Sequence, residues 1–558
     1  MEDAARLIRR WSATAIFALL AIGAGGGRSA ARADDAALAR DVAAEARDFA
    51  GRDDHGRAVA CALAAIRLDP SLEEELSLLI AHQLTWQERA AEAVPWYRRR
   101  LEAEPDDREA KLGLARALSW SGDLDGAAAV YRELLADDAN DEEARLGLAR
   151  MEAWRDRPGA AARAYREALD RGVPDAREGL AAAENARGKH RAAEALYDAI
   201  LADDPDDVSA RVGRARARYW LGEEGAAERD LAGIDTAEAA DLRDAIRRDR
   251  GLRAMLFADR WNDRDDQENR TLGVRVEGSA GPGWRWFGLA AGERSEDPAT
   301  GRVEFLTFGG GGSWRPSRDV AVHAEITAHD LGRNLEDAAV IDVGAGETRT
   351  GADIRETVAL FDSWLTWTPI DWTRFDVGYG RVPVTTARAL ARGLRVNVAS
   401  LAAERRLTER VSARIRAAHG DYDDGNTRRS LEADLRFGDW SLGPVHWNVG
   451  PGAAWIDFRD ESPDHGYYSP DRYDTFHGTL NAWTSAERPF RVEGDVRLAS
   501  ESENDGDRFG VLSGGVELRW QATRHVGFGA FGRASTSRFD SSAGYERDGV
   551  GLRVFLAP

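Results

Sequence analysis

The sequence predicts two fold classes in series: an all-α repeat solenoid, then an antiparallel transmembrane β-barrel of about sixteen strands. Three observations predict them. Residues 40–250 repeat with a period of 34. Beyond residue 250, apolar and polar side chains alternate with period two. The links between the alternating segments are short and long in turn. We expect a leader over residues 1–33, about six repeats over 34–250, and the barrel over 251–558.

Composition narrows the class. The chain has 558 residues, 97 acidic against 76 basic, for a net charge of −21. Most of that negative charge falls on residues 34–250. An acidic chain lacks the basic stripe of a nucleic-acid binder, so no nucleic-acid partner is expected. One cysteine, Cys61, excludes an intrachain disulfide and a cysteine-based metal site. No apolar run approaches 20 residues, which excludes a membrane-spanning helix. A barrel remains compatible, because its alternating strands keep the average polar.

The N-terminus reads as an export signal. Arg6, Arg9 and Arg10 precede an apolar stretch from Trp11 to Ile22, too short to span a bilayer. Small residues follow, ending Ala31-Arg32-Ala33, and cleavage is expected after Ala33. No cysteine lies near that point, so a lipid-anchored N-terminus is not expected.

The repeat is carried by Tyr97, Tyr131, Tyr165, Tyr197 and Leu231, with Leu63 beginning the series. Sixteen residues before each of the last five stands a small residue: Ala81, Ala115, Ala149, Ala181 and Ala215. Gly113, Gly147, Gly179 and Gly213 lie two residues earlier in four of them. Gly122, Gly188 and Gly222 supply turns, and Pro70, Pro105 and Pro205 stop helices. The pattern implies two helices per repeat, closely approached through small residues, with the aromatic filling the gap to the next repeat. It resembles the tetratricopeptide repeat. Trp86, Trp120, Trp154 and Trp220 recur five residues after the small residue. They are candidates either for a binding groove or for packing against the neighbouring repeat.

The alternation is clearest in Asp319–Asp330 and Pro489–Ser500, with Thr271–Gly278, Arg410–Ala417 and Ser430–Phe437 alike. One face is apolar and the other carries both signs of charge. Candidate lumen residues are Arg275, Glu277, His323, Glu325, Arg414, Arg416, Glu432, Asp434, Arg491, Glu493, Asp495 and Arg497. Trp261, Trp284, Trp286, Trp314, Trp372, Trp440 and Trp520 are expected in interfacial girdles. The short turns and both termini are expected in the periplasm.

These features together resemble the tetratricopeptide-plus-porin proteins that export exopolysaccharide. The family includes the outer-membrane component of cellulose synthase, the poly-N-acetylglucosamine export porin and the YaiO-type barrels. Three phrases carry the resemblance: Leu118-Ser-Trp120-Ser-Gly122, Asp423-Asp424-Gly425-Asn426, and Gly466-Tyr467-Tyr468-Ser469-Pro470 followed by Tyr473. The resemblance implies passive passage of a polysaccharide through the barrel. The repeats would dock periplasmic or inner-membrane synthesis or modification proteins, and the barrel would face outer-membrane lipid. The chain departs from the family in its small number of repeats. It departs again at Val554-Phe555-Leu556-Ala557-Pro558, where an aromatic end is usual and Phe555 stands three residues in.

No catalytic residue, metal site or cofactor is expected. His323-x-Glu325 lacks further ligands. Gly309–Gly312 lacks the lysine of a phosphate loop and is expected to ease barrel curvature. Asp421–Gly425 is only loosely similar to a calcium loop and reads as an outer loop. An envelope scaffold with a plugged barrel anchor is the alternative function, and a barrel enzyme acting on lipid or glycan is a third.

Overall fold

The computed structural model describes residues 31–263, 268–297, 301–331, 340–344, 347–350, 356–384, 389, 392–461, 467, 469–484, 489–536 and 547–557. The expected leader lies almost wholly outside them. So do Gly466 and Tyr468 of the third phrase. By internal packing the chain forms two compact units, Met1–Arg187 and Gly188–Pro558.

The first unit is helical. Its described helices are α1 (Ala31–Gly51), α2 (His55–Leu68), α3 (Glu73–Trp86), α4 (Ala90–Ala103), α5 (Arg108–Trp120), α6 (Leu124–Asp137), α7 (Glu142–Trp154), α8 (Pro158–Asp170) and α9 (Ala176–Ala186). Aspartates start several of them. Asp54, Asp107, Asp123 and Asp141 each accept a backbone N–H three residues on. Asp141 also accepts Arg108 Nε at 2.7 Å and Nη2 at 2.9 Å, tying two successive repeats together. The Arg108 contact holds the Asp141 carboxyl below its ordinary value.

The small residues Ala81, Ala115, Ala149 and Ala181 are fully buried between helices. The tyrosine rings, however, rest on the glycines. A Cβ at Gly113 would stand 2.2 Å from the Tyr97 ring, and one at Gly147 would stand 2.3 Å from the Tyr131 ring. Gly179 and Tyr165 repeat the arrangement. Each glycine is therefore a socket for the ring of the preceding helix, and the neighbouring alanine sets the helix spacing. Cys61 is buried in the same core, which pushes its thiol up to about 11.

The second unit begins with α10 (His190–Asp203), α11 (Val208–Trp220), α12 (Glu224–Asp230) and α13 (Ala237–Arg250). Gly213 seats the Tyr197 ring as in the first unit. The change to strand falls between Arg250 and Arg253. The strands are β1 (Arg253–Asp263), β2 (Glu268–Gly281), β3 (Trp284–Asp297), β4 (Gly301–Ser317), β5 (Val320–Leu331), β6 (Val340–Gly344), β7 (Glu347–Thr350), β8 (Thr357–Trp367) and β9 (Thr373–Pro383). They continue as β10 (Arg395–Thr408), β11 (Val411–Tyr422), β12 (Thr427–Leu442), β13 (Val445–Phe458), β14 (Arg472–Thr484), β15 (Phe490–Glu503), β16 (Phe509–Gln521), β17 (Val526–Ser535) and β18 (Arg547–Leu556).

Sixteen strands close one antiparallel barrel, with β1 paired to β18, while β6 and β7 form a separate hairpin between β5 and β8. Closure removes every free sheet edge from the wall, as a lipid environment requires. Links at one end are short, such as Pro282–Gly283 between β2 and β3. Links at the other are long, such as that from Pro383 to Arg395. The outward side chains are apolar and open, with Leu272 at 69% and Leu552 at 64% exposure. An apolar outer face that gains no cover from the protein suits hydrocarbon rather than water.

Tryptophans cluster outward at the short-turn end. Trp284 stacks on Trp314 at 5.3 Å, Trp440 meets Trp447 at 4.5 Å, and Trp520 stacks on Phe528 at 5.7 Å. Two of the expected girdle residues are elsewhere. Trp261 faces inward with Met255 and Phe257, over Gly549, and meets Phe531 at 5.6 Å. Trp372 lies in the β8–β9 turn under the Lys189 ammonium at 4.3 Å.

Candidate functional site: the barrel interior and its short-turn rim

Strand parity turns the twelve candidate lumen residues inward. In β15 the outward Val496 and Leu498 are exposed, so Arg491, Glu493, Asp495 and Arg497 line the interior. In β5 the outward Ile326 places His323 and Glu325 inside. Ile415, Leu431 and Leu435 do the same for Arg414, Arg416, Glu432 and Asp434. Leu272 in β2 does so for Arg275 and Glu277.

The candidates gather around separate cavities. Arg414, Glu432, Asp434, Asp495 and Arg497 line one of about 590 Å³. Arg275, Glu277 and Arg491 line one of about 380 Å³ near the short turns. Glu493 joins Asp495 around a third, where Trp261, Trp483 and Phe531 add aromatic walls. Arg416, His323 and Glu325 line none of these cavities.

The charges are arranged as a lattice rather than a single-sign field. Arg414 stands opposite Asp434 in register, and Arg416 opposite Glu432. Asp434 Oδ1 lies 3.0 Å from His477 Nε2, and Arg497 Nη2 lies 3.1 Å from His477 Nδ1. Arg533 donates to Asp495 at 3.3 Å. Gly452 makes room for this lattice, since a Cβ there would stand 2.3 Å from both Asp434 and His477.

His477, Glu404, Arg436, Asn481 and Arg533 also line the polar cavity around Asp434 and Arg497 and escaped the sequence reading. Their signal was the same inward parity, carried by strands whose outward residues include glycine and alanine. A second cluster escaped as well. Arg275 lies over the Phe287 ring at 3.6 Å, and His323 stacks on Trp364 at 3.6 Å. Gly311 between them has no Cβ to intrude on Phe287 or Glu325. Gly309 and Gly311 thus leave room for the Thr327 and Phe287 side chains, and Gly310 and Gly312 stand close to the backbone of β3. His323 Nε2 is 4.0 Å from Glu325, and no metal-holding group of three such residues occurs among the described residues.

At the long-loop end the interior is packed with apolar side chains. Val384, Leu394 and Tyr467, from the loops, are buried against Val396, Phe458 and Tyr473 of the wall. The second and third phrases meet here. Tyr467 stacks on Tyr422 at 4.6 Å, and its hydroxyl donates to Asp424 at 3.0 Å. Asn426 is buried and exchanges hydrogen bonds with the backbone of Asp460 at 2.9 and 3.0 Å. Arg381 donates to both oxygens of Asp423 at 2.9 Å.

At the short-turn end, helices α10–α13 are joined to the barrel rim by charge. Asp371, in the β8–β9 turn, accepts the backbone N–H of Arg191 at 3.3 Å and of Ala192 at 3.2 Å. It thereby caps α10, whose own N-cap residue, Lys189, makes no side-chain cap. The Arg191 guanidinium reaches Asp319 and the Thr368 carbonyl. Glu194 takes Arg218 at 2.8 Å and Arg318 at 3.0 Å, and Glu224 takes Arg250 and Arg285, both at 2.8 Å. Arg315 donates to the Leu221 carbonyl at 2.8 Å.

The four repeat tryptophans are open. Trp86 is 73% exposed, Trp120 59%, Trp154 53% and Trp220 62%. Trp86 stacks on His55 and Trp220 on His190, each at 12° between planes. Trp86 and Trp220 thus stack on a histidine of the preceding repeat while most of each residue stays exposed.

Comparison with known proteins returned a family match within the repeats and several similar solved structures. Residues 86–151 match the family model of the tetratricopeptide repeat. Among solved structures, a bacterial polysaccharide outer membrane secretin is similar over 56% of this chain and 99% of its own, at 15% identity and a TM-score of 0.42. A tetratricopeptide repeat protein from Parabacteroides merdae is similar over 38% of this chain and 85% of its own, at 21% identity and a TM-score of 0.35. The MamA protein covers 31% of this chain with 93% of its own, at 19% identity and a TM-score of 0.27. No curated protein matches. Tetratricopeptide-repeat helices and a closed sixteen-stranded barrel thus occur in one chain.

Proposed function

We propose that the protein is an outer-membrane porin that exports an exopolysaccharide, with its repeats docking the synthesis or modification machinery in the periplasm. The observation that carries the reading is the barrel itself. An apolar outer face encloses polar cavities whose walls hold paired acids and arginines. Such walls offer a polyhydroxylated chain many weak donors and acceptors, and no single site tight enough to stop it. The concentration of negative charge on residues 34–250 supports docking of a cationic partner surface. Deletion of the gene is expected to abolish or shorten a surface polysaccharide. Unchanged glycan on cells and in the medium would refute the reading.

A second reading has its own support. The apolar packing of Val384, Leu394 and Tyr467 inside the long-loop end suits a plugged anchor serving an envelope scaffold. Planar-bilayer conductance separates the two. An open channel supports export, and a silent barrel in a strain with normal glycan supports the scaffold.

A further inference from the structure

We propose that Trp220 and the short-turn rim of the barrel form an entry site that holds a pyranose ring of the transported glycan; this rests on the export reading above. A cavity of about 420 Å³ lies where α11 meets the rim. That size falls within the ~300–1,000 Å³ of ordinary small-molecule sites. Trp220 and Leu221 line it from the helix, Ile370 and Trp372 from the β8–β9 turn, and Arg374 and Glu404 from the inner wall.

Glu404 also lines the 590 Å³ interior cavity, so one wall residue borders both spaces. An occupant of the rim cavity therefore stands next to the charge lattice. Adjacency to that lattice favours the moving cargo over a fixed protein segment.

The chemistry of the lining fits a sugar. The indole of Trp220 is backed by His190 at 5.9 Å and braced by Tyr219 at 5.5 Å, which leaves its other face open. An aromatic face so held packs against the C–H face of a pyranose, burying apolar area on both. Glu404 can accept from ring hydroxyls and Arg374 can donate to them. Arg374 is itself held through its Nε by Asp376 at 3.0 Å, and other lining residues are fixed too: Arg191 by Asp319, Arg318 by Glu194, and Arg315 by the Leu221 carbonyl. A preorganised wall loses little entropy on binding.

The test is calorimetric titration of the full chain in detergent with three hexasaccharides: cellohexaose, the N-acetylglucosamine hexamer and a mannuronate hexamer. Detergent solution reads binding whether or not the barrel conducts. At least one hexamer is expected to bind wild type, with Trp220→Ala weakening it about tenfold or more and Trp220→Phe retaining most of it. Near-UV circular dichroism and heat-modifiable gel mobility of the variants establish that the barrel is folded. Binding unchanged in Trp220→Ala overturns the entry site and leaves export standing. Binding of none of the three by wild type overturns it too, and the surface glycan of the deletion strain then decides export separately.

Discussion

The glycine sockets make a prediction whose sign runs against helix propensity. Replacing an interior helical glycine by alanine ordinarily stabilises a helix by about 1 kcal/mol. At Gly147 the new Cβ would stand 2.3 Å from Tyr131 Cε1 and 2.4 Å from Cζ. Carbon atoms rest at about 3.5–4.0 Å, so the buried ring must move by roughly 1 Å or more. Overpacking of that kind costs about 1–3 kcal/mol. The net expectation for Gly147→Ala is a loss of about 1 kcal/mol. Gly56 is the contrast, because it is helical and exposed, with nothing within 4 Å of its Cβ position. Gly56→Ala is expected to be neutral or stabilising by up to about 1 kcal/mol. Helix ellipticity at 222 nm followed through urea titration of the full chain in detergent reads both. A Tyr131→Leu background supplies the coupling, since removing the ring should turn Gly147→Ala favourable. Equal stability of Gly147→Ala and Gly56→Ala in the wild-type background would refute the socket.

Three further outcomes are expected. Asp141→Asn keeps a good helix cap but removes the charge that pairs with Arg108. The carboxyl is held below its ordinary 3.8, so its contribution is complete above about pH 4 and is lost as pH falls through the lower folded value. The variant should therefore lose about 1 kcal/mol near neutrality and show a flatter acid limb in pH-dependent unfolding; an unchanged limb would contradict the pairing. Asp371→Ala should cost α10 about 1–2 kcal/mol and speed amide exchange at its first turn roughly 5- to 30-fold, with β12–β14 exchange unaltered. Exchange at α10 equal to wild type would show that the turn does not cap it. Arg414→Glu with Arg416→Glu reverses two charges that are exposed on the interior wall. A conducting barrel should then shift its reversal potential toward cation selectivity, and an unmoved potential would place both residues off the ion path.

The repeat register and the strand parity were legible because each is a strict period with one dominant cause, burial of one face. The twelve inward residues follow from that alone. What escaped depends on contacts between distant residues. The tyrosine of one helix and the glycine of the next were both visible in sequence, but the alanine two residues after the glycine looked like the contact, since either small residue permits close approach. Trp261 misled because both faces of β1 mix apolar and charged residues, with Met255, Phe257, Asp259 and Trp261 inward and Leu256 and Arg260 outward. Its inward Phe257 and Trp261 occupy space vacated by Gly273 and Gly549, where a Cβ would stand 2.5 and 2.2 Å from the rings. Parity read from polarity has nothing to follow there. The Asp371 cap joins residues some 180 positions apart, and no local signal announces it. The meeting of Tyr467 with Asp424 is of the same kind, although both phrases stood out separately.

The cap from Asp371 also sets an order of assembly. A helix whose first N–H groups are satisfied by a turn of the barrel is incomplete until that turn exists. The chain delivers α10 about 180 residues before its cap, so a growing polypeptide carries an unfinished helix end until six of the sixteen barrel strands have been made. Closure of β8 on β9 supplies the missing acceptor and, through Arg191 and Asp319, locks the neighbouring rim to the same helix. Completion of α10 thereby reports that the wall beside it has formed. A barrel that stalls before that hairpin leaves a frayed helix exposed, which is the form of chain that proteases cut first.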